Sequence, residues 1–472
     1  MSDPDLCYLG ALEALAAFRN RQLSPVAYLE ALIARSEQVN PKINAWTYTF
    51  FERALAEAKA AEGRYLGKGN DPRPLDGLPV AIKDDHAVAN EITTHGSRLF
   101  ENNVYPFDSP HVARIREAGA ILYARTTTPE FAAATICHSP LWGVTRNPWN
   151  LATTPGGSGG GAGAALAAGM VPLCDGGDYG GSIRIPASLN GLVGYRPPSG
   201  RVPGAGAWLW NAWSTQGPMA RSVGDAALLY NLIAGPDLRD PTTVPGHPNL
   251  PESFQAIEGW RVAVSEDLGL FKVEPEIRAA FREAVQAFAE LGCTVEQVEI
   301  PWTLEREYEA AISGYKRDGE ELNKNFTEEQ KALISTHLRH IDQWELGRGG
   351  MTVEAVNEVR AGMWGQLREI FERCEVLLTP TTGTTALAAD IDLLKDEVRI
   401  EDTPVDSVIG WALCWPFNVL ERLPAISVPM GRAANGVPLG LQIIGKPYDD
   451  LSVFRAAAAF EAARPWVERP EM

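Results

Sequence analysis

After Ser24-Pro25 the apolar residues Tyr28, Leu29, Leu32 and Ile33 recur at helical spacing. Serine as N-cap and proline in the first turn make this a helix start. The segment FFERALAEAKAAEGRYL, rich in Ala, Glu and Lys, predicts a second helix, so residues 1–76 read as helical. Leu78-Pro79-Val80-Ala81-Ile82-Lys83 then breaks the pattern, as a short apolar run that suits a buried strand ending in a charge. From there to Pro203, short apolar runs alternate with helical stretches. HVARIREAGA predicts a helix and ILYARTTTP a strand into a loop, while AGAALAAGM predicts a helix and MVPLCDGG a strand into a glycine-rich turn. Such alternation predicts an α/β fold with a largely parallel or mixed sheet.

Residues 235–254 are dense in Pro, Asp and Gly and read as a connection between two halves. Strand-like WRVAVSEDL, a helix from Glu274 to Leu291 and a long polar helical stretch up to about Arg373 follow, and VLLTP, AISVPMG and LGLQIIG add strands near the end. No internal repeat or low-complexity segment interrupts the chain.

Length changes this picture little: 472 residues allow two or three domains, or one large α/β domain. Charge excludes more. With 42 basic and 60 acidic residues the formal charge is −18, which argues against a nucleic-acid partner, because phosphate binding needs concentrated Lys and Arg. Cys7, Cys137, Cys174, Cys293, Cys374 and Cys414 are dispersed, with no C-x-x-C pair, and read as thiols of a reducing compartment. The opening MSDPDLCYLG lacks a basic signal region, and no apolar run reaches the ~18 residues that span a bilayer. The expectation is a cytoplasmic protein.

Three segments carry candidate chemistry: GLPVAIKD (77–84), TPGGSGGGAGAALAAG (154–169) and CDGGDYGGSIRIPASLNGLVGYRPPSGRVP (174–203). In the third, Ser182 follows two glycines after an apolar run. Glycines let consecutive backbone N–H groups converge on one point, as an oxyanion hole beside a nucleophile requires. Gly-Gly-Ser is equally a common flexible turn. The second segment could be an anion-binding loop at a helix start, but it lacks the Gly-Lys-Ser/Thr ending of a P-loop. Tight packing that holds an unusual conformation at Ser158 is the better reading. A lysine ending a buried strand is either a paired charge, here beside Asp84 and Asp85, or a desolvated base.

Taken together, the lysine after an apolar strand, the glycine-rich loop around Ser158 and the Gly-Gly-Ser-Ile-Arg turn resemble the amidase signature family. The intervals of 75 residues from Lys83 to Ser158 and 24 from Ser158 to Ser182 suit that family, as do TPEF, NPWN, QGPMARSV, PAISVPMG and GVPLGLQIIGKPYDD. The resemblance runs from about Ser24 to Pro465. It implies one domain over residues 1–472, a central mixed sheet flanked by helices. Residues 77–204 form its core signature region, and 255–472 complete the sheet. It implies a hydrolase of amide C–N bonds, with Ser182 as nucleophile and Ser158 relaying its proton to a neutral Lys83. Ser158 would sit on a cis peptide after Gly157. The N–H groups of Tyr179, Gly180, Gly181 and Ser182 would hold the oxyanion, and Asp178 with Arg184 would support the turn.

The chain departs from the family at several positions. Gly159 stands for a usual serine, Tyr179 for threonine, Asn190 for cysteine and Thr127 for asparagine. Thr127, with Trp208, Trp210 and Trp213 of GAWLWNAWS, is a candidate for the substrate pocket. A tryptophan wall would favour aryl or extended apolar amides, or N-aryl carbamates; packing under a loop is the plainer alternative. His337 and His340, with Glu345 nearby, have no third ligand of convincing spacing and read as solvent-facing, so no metal and no cofactor is expected. The expected partner is a small-molecule amide or carbamate, and a homodimer fits the family. The alternative function is that of the glutaminase-like component of a tRNA-dependent amidotransferase, although 305–350 shows no good counterpart to its glutamine-recognition segment. A non-catalytic module on a dead scaffold fits poorly with Lys83, Ser158 and Ser182 all in place.

Overall fold

Local rules act first. In the computed structural model, which describes residues 4–324, 326–335, 338 and 350–472, the Ser24 hydroxyl accepts from the N–H groups of Val26 and Ala27 at 3.0 and 3.3 Å. The helix it caps, Pro25–Ile43, ends on Asn44 in the left-handed region at φ 53°, which Asn tolerates. The second expected helix is Phe51–Tyr65. Between them lies a strand, Trp46–Thr49, that the sequence reading took as helical. Four residues are too few for a two-residue period to register, and pairing with Ile121–Thr126 decides the conformation.

The main sheet has eleven strands, numbered here along the chain. They are β1 (Trp46–Thr49), β2 (Pro79–Lys83), β3 (Ile121–Thr126), β4 (Leu173–Asp178), β5 (Val193–Arg196) and β6 (Thr215–Ala220), then β7 (Arg261–Val264), β8 (Thr294–Gln297), β9 (Val376–Pro380), β10 (Ala425–Arg432) and β11 (Pro438–Gly445). Their spatial order is β1-β3-β2-β4-β6-β5-β10-β11-β9-β7-β8. Pairing is parallel for β3-β2-β4 and for β9-β7-β8, and antiparallel through the middle and at β1, so the expected mixed sheet is present. β5 carries a Gly and β6 a Gly and a Pro, which weaken a strand signal in sequence; their neighbours supply the hydrogen bonds that hold them. VLLTP became β9 residue for residue, and the expected helix after Glu274 is Pro275–Glu290.

Side-chain alternation along β2 aims the functional lysine. Val80 and Ile82 enter one core with Tyr28, Leu32, Leu122 and Leu173. Ala81 enters another with Ala162, Ala164 and Ala165 of the helix Gly160–Ala167. Lys83, two residues past Ala81, therefore faces the helix side and the glycine loop in front of it. A Cβ at Gly161 would collide with Thr127, so glycine permits this close approach. His337, His340 and Glu345 lie outside the described residues. Among the described residues, no helix is long and apolar enough to cross a membrane.

Candidate active site

Lys83 ends β2 with its side chain 1% exposed. Its Nζ donates to Ser158 Oγ at 2.8 Å and pairs with Asp85 Oδ2 at 2.9 Å. Both readings of the lysine thus meet in one place, a charge partner and a serine partner. Burial works against the Asp85 carboxylate, but Lys83 and His86 outweigh it and hold its pKa below the ordinary range. The Gly157–Ser158 peptide is cis. A Cβ at Gly157 would run into the carbonyl of Ile136, so that position has room for glycine alone.

The next loop brings Ser182 alongside. Gly159 N–H donates to the Ser182 carbonyl at 3.0 Å, which ties the loop carrying Ser158 to the one carrying Ser182. An added Cβ at Gly159 would lie 2.7 Å from that carbonyl, which accounts for glycine where serine is usual. The Ser182 hydroxyl makes no hydrogen bond among the described residues and faces the cavity that Lys83 and Ser158 also line. The Lys83–Ser158 link is formed, therefore, and the Ser158–Ser182 link is not; unliganded sites commonly tighten when substrate binds.

Beneath Ser182 the turn is built on Asp178 and Arg184, both fully buried. Arg184 Nη2 and Nε donate to Asp178 at 2.9 and 3.0 Å, Asn418 Nδ2 adds another bond at 2.9 Å, and Arg184 Nη1 donates to Gln442 Oε1 at 2.6 Å. Burial opposes the Asp178 charge, and Arg184 overcomes it, keeping the carboxyl well below its usual range. Gly181 sits at φ 118° and donates its N–H to Asp178 Oδ1 at 2.9 Å. That corrects the expected oxyanion set, because an N–H already bonded to a carboxylate beneath the turn is not free for substrate. The N–H groups of Gly180 and Ser182 have no acceptor among the described residues and remain available.

The cavity holds about 250 Å³. Phe131, Leu338, Val408 and Ile409 form an apolar wall, and Asp85, His86, His95 and His111 a polar one. Burial lowers the His95 pKa to about 4, so it is neutral near pH 7. Tyr179 lines the cavity, and its hydroxyl donates to Asp318. Its ring stands edge-on to Tyr315, centroids 4.9 Å apart, and the Tyr315 hydroxyl donates to the Tyr179 carbonyl at 3.2 Å.

Three of the four pocket candidates, Thr127, Trp210 and Trp213, do not line this cavity. Thr127 is buried below Gly161, where its hydroxyl meets Thr145 at 2.7 Å. Trp210 is 72% exposed, and Trp213 is buried behind Tyr179 and Tyr315. The backbone of Trp208 lies in the short 3-10 turn Gly206–Trp210, and its side chain is outside the described residues. Reading the tryptophans as packing under a loop fits Trp213 better.

Sequence reasoning missed His86, His111, Asp175, Tyr315, Asp318 and Asn418. Only His86 carried a local signal, three residues beyond Lys83. His86 Nδ1 lies 2.6 Å and His111 Nε2 3.1 Å from Asp175 Oδ2, and among the described residues these three could hold a metal ion. No spacing motif joins positions 86, 111 and 175.

The chain is similar to known proteins along nearly all of its length. A family model described as Amidase matches residues 27–454. An acylamidase of Rhodococcus erythropolis is 34% identical, over 99% of this chain and 98% of that protein. A glutamyl-tRNA(Gln) amidotransferase chain, the A component of that enzyme in Symbiobacterium thermophilum, is 33% identical, over 96% of each. Among solved structures, a bacterial aryl acylamidase of the amidase signature family superposes with a TM-score of 0.88 at 30% identity, over 97% of both chains.

Proposed function

Because the chain belongs to the amidase family and is a hydrolase of amide C–N bonds, we propose that it works through an acyl-enzyme on Ser182, with Ser158 and Lys83 handling the proton. The observation that carries the reading is the 2.8 Å contact between buried Lys83 Nζ and Ser158 Oγ, facing the same cavity as Ser182. With the amine neutral, that contact runs in the other direction: Ser158 gives its proton to Nζ while taking the proton of Ser182. The Ser182 oxygen then attacks the carbonyl carbon. Asp85, at 2.9 Å, pairs with the ammonium that forms. Gly180 and Ser182 donate N–H groups to the oxyanion. The proton returns along the same path to the leaving nitrogen, the C–N bond breaks, and water releases the acyl group by the reverse relay.

We propose aryl amides and N-aryl carbamates as the preferred substrates. The apolar wall of Phe131, Leu338, Val408 and Ile409 supports this, as does the likeness to acylamidases. A carbamate offers the same carbonyl–nitrogen pair and would leave an alkoxycarbonyl group on Ser182. Likeness to the amidotransferase chain supports glutaminase activity as a second reading. Free glutamine, however, presents a carboxylate, and among the described residues no arginine lines the cavity to receive it. A cytoplasmic location is consistent with six buried cysteines that form no disulfide.

A fluorophosphonate probe should label Ser182, as read by peptide mass spectrometry, and acetanilides and N-phenyl carbamates should turn over faster than aliphatic amides of equal size. Labelling elsewhere would overturn the nucleophile. Equal turnover across the panel would overturn the aryl preference, and glutamine as the best substrate would favour the second reading.

A further inference from the structure

Three side chains from three elements meet in the cavity wall behind Lys83. His86 lies in the turn after β2, His111 in the first turn of the helix Pro110–Glu117, and Asp175 within β4. Asp175 Oδ2 is 2.6 Å from His86 Nδ1 and 3.1 Å from His111 Nε2, and the two nitrogens are 3.3 Å apart. All three residues are buried. We propose that they bind one late first-row divalent cation of the zinc or cobalt kind, through His86 Nδ1, His111 Nε2 and Asp175 Oδ2.

The donor set points to this class of ion. Two imidazoles and one carboxylate suit zinc, cobalt or nickel, whereas magnesium and calcium call for an all-oxygen shell. The spacing agrees. Ligands about 2.1 Å from a six-coordinate ion lie about 3 Å from their neighbours, and those of a tetrahedral ion slightly farther apart. Separations of 2.6, 3.1 and 3.3 Å need only the shortest edge to open by a few tenths of an ångström. Hydrogen bonds alone account for the first two contacts, but they leave two imidazole nitrogens side by side at the third. A shared ion uses that approach, taking the place of the protons that otherwise bridge to Asp175.

The surroundings suit a bound ion as well. Metal-ligating groups are usually oriented by hydrogen bonds from behind. Asp175 Oδ1 accepts the Lys83 backbone N–H at 2.7 Å, and Asp85 Oδ1 lies 3.7 Å from the outer nitrogen of His86. Asp175 also sets a negative charge against the cation, where an unbalanced buried charge would be costly. His86 and His111 line the cavity, which gives the ion an entry path and water for its remaining positions. Asp85 and Asp175 both touch Lys83, so the loaded and unloaded proteins should differ in turnover. Binding itself needs no catalytic serine.

The test uses the full chain, stripped with a chelator and titrated with ZnCl2 and then CoCl2. One zinc per chain should survive desalting, cobalt should give a visible absorption distinct from the aquo ion, and anomalous diffraction at the zinc edge should place the ion among the three named atoms. Ser182→Ala should bind equally well, so that loss of the proposed nucleophile leaves the result readable. His86→Gln and His111→Gln, each checked for folding by circular dichroism, should each weaken zinc binding at least ~10-fold. Binding unchanged in both variants, an anomalous peak elsewhere, or no binding at millimolar zinc would overturn the proposal and leave the cluster a hydrogen-bonded ion pair.

Discussion

The Gly181 backbone N–H donates to the Asp178 carboxylate at 2.9 Å, so the turn beneath Ser182 is fastened from below. Removing the charge with Asp178→Asn leaves Arg184 buried without its counter-ion. Stability should fall by about 3–5 kcal/mol in urea denaturation, with turnover falling as the turn loosens. Because the Asp178 pKa is depressed in the folded state, its stabilisation is complete above the unfolded carboxylate value and disappears as pH falls through the folded one. The gap between wild type and variant should hold steady from pH 7 down to about pH 4 and narrow only below that.

Ser182→Ala should reduce kcat by about 10⁴-fold or more in a steady-state anilide assay. Lys83→Ala and Ser158→Ala should each cost about 10²–10⁴-fold. Because the two act as one relay, the double variant should be little worse than the weaker single one. Full multiplication of the two losses would mean they act separately.

Gly157→Ala tests the crowding at the glycine before Ser158. The new methyl meets the Ile136 carbonyl, and overpacking of this kind costs about 1–3 kcal/mol. The melting temperature should drop, and activity should fall further than stability alone explains, because the same shift moves Ser158 away from Lys83. A variant with wild-type activity would show that the loop gives way without displacing the serine.

Glu461, which does not line the cavity, offers a pH signature of its own. Burial raises its pKa to about 7, against the pull of the Val223 N–H it accepts at 2.9 Å. Between the ordinary carboxylate value and pH 7 the folded state binds more protons than the unfolded one, so its contribution makes stability fall as pH rises. Glu461→Gln should flatten that decline in thermal melts between pH 4.5 and 7 and leave kcat unchanged.

Phe131 contributes a ring to the apolar wall and stacks on Phe326 with centroids 5.8 Å apart. Phe131→Ala should raise KM for anilides and aryl carbamates about 10-fold, near the value of one lost apolar contact, and leave small aliphatic amides almost unaffected. Equal losses on both classes would indicate general damage to the cavity.

Much of the site was legible because its parts are local. Ser24-Pro25 starts a helix, the glycines around Ser158 and Ser182 set backbone shapes, and the alternation of β2 aims Lys83, all within a few residues of chain. Thr127, Trp210 and Trp213 were misplaced because a side chain's direction depends on which neighbour packs over it. Thr127 lies beneath Gly161, and Tyr179 with Tyr315 stands between Trp213 and the cavity.

From sequence alone came the alternation of strands and helices, and the lysine and two serines with their intervals, since propensities and turn chemistry act between near neighbours. The order of the strands came only with the tertiary structure, and with it the commitment of the Gly181 N–H to Asp178 and the meeting of His86, His111 and Asp175. Those contacts join residues far apart in the chain, and hydrogen bonding between strands, not any local preference, decides which distant groups face one another.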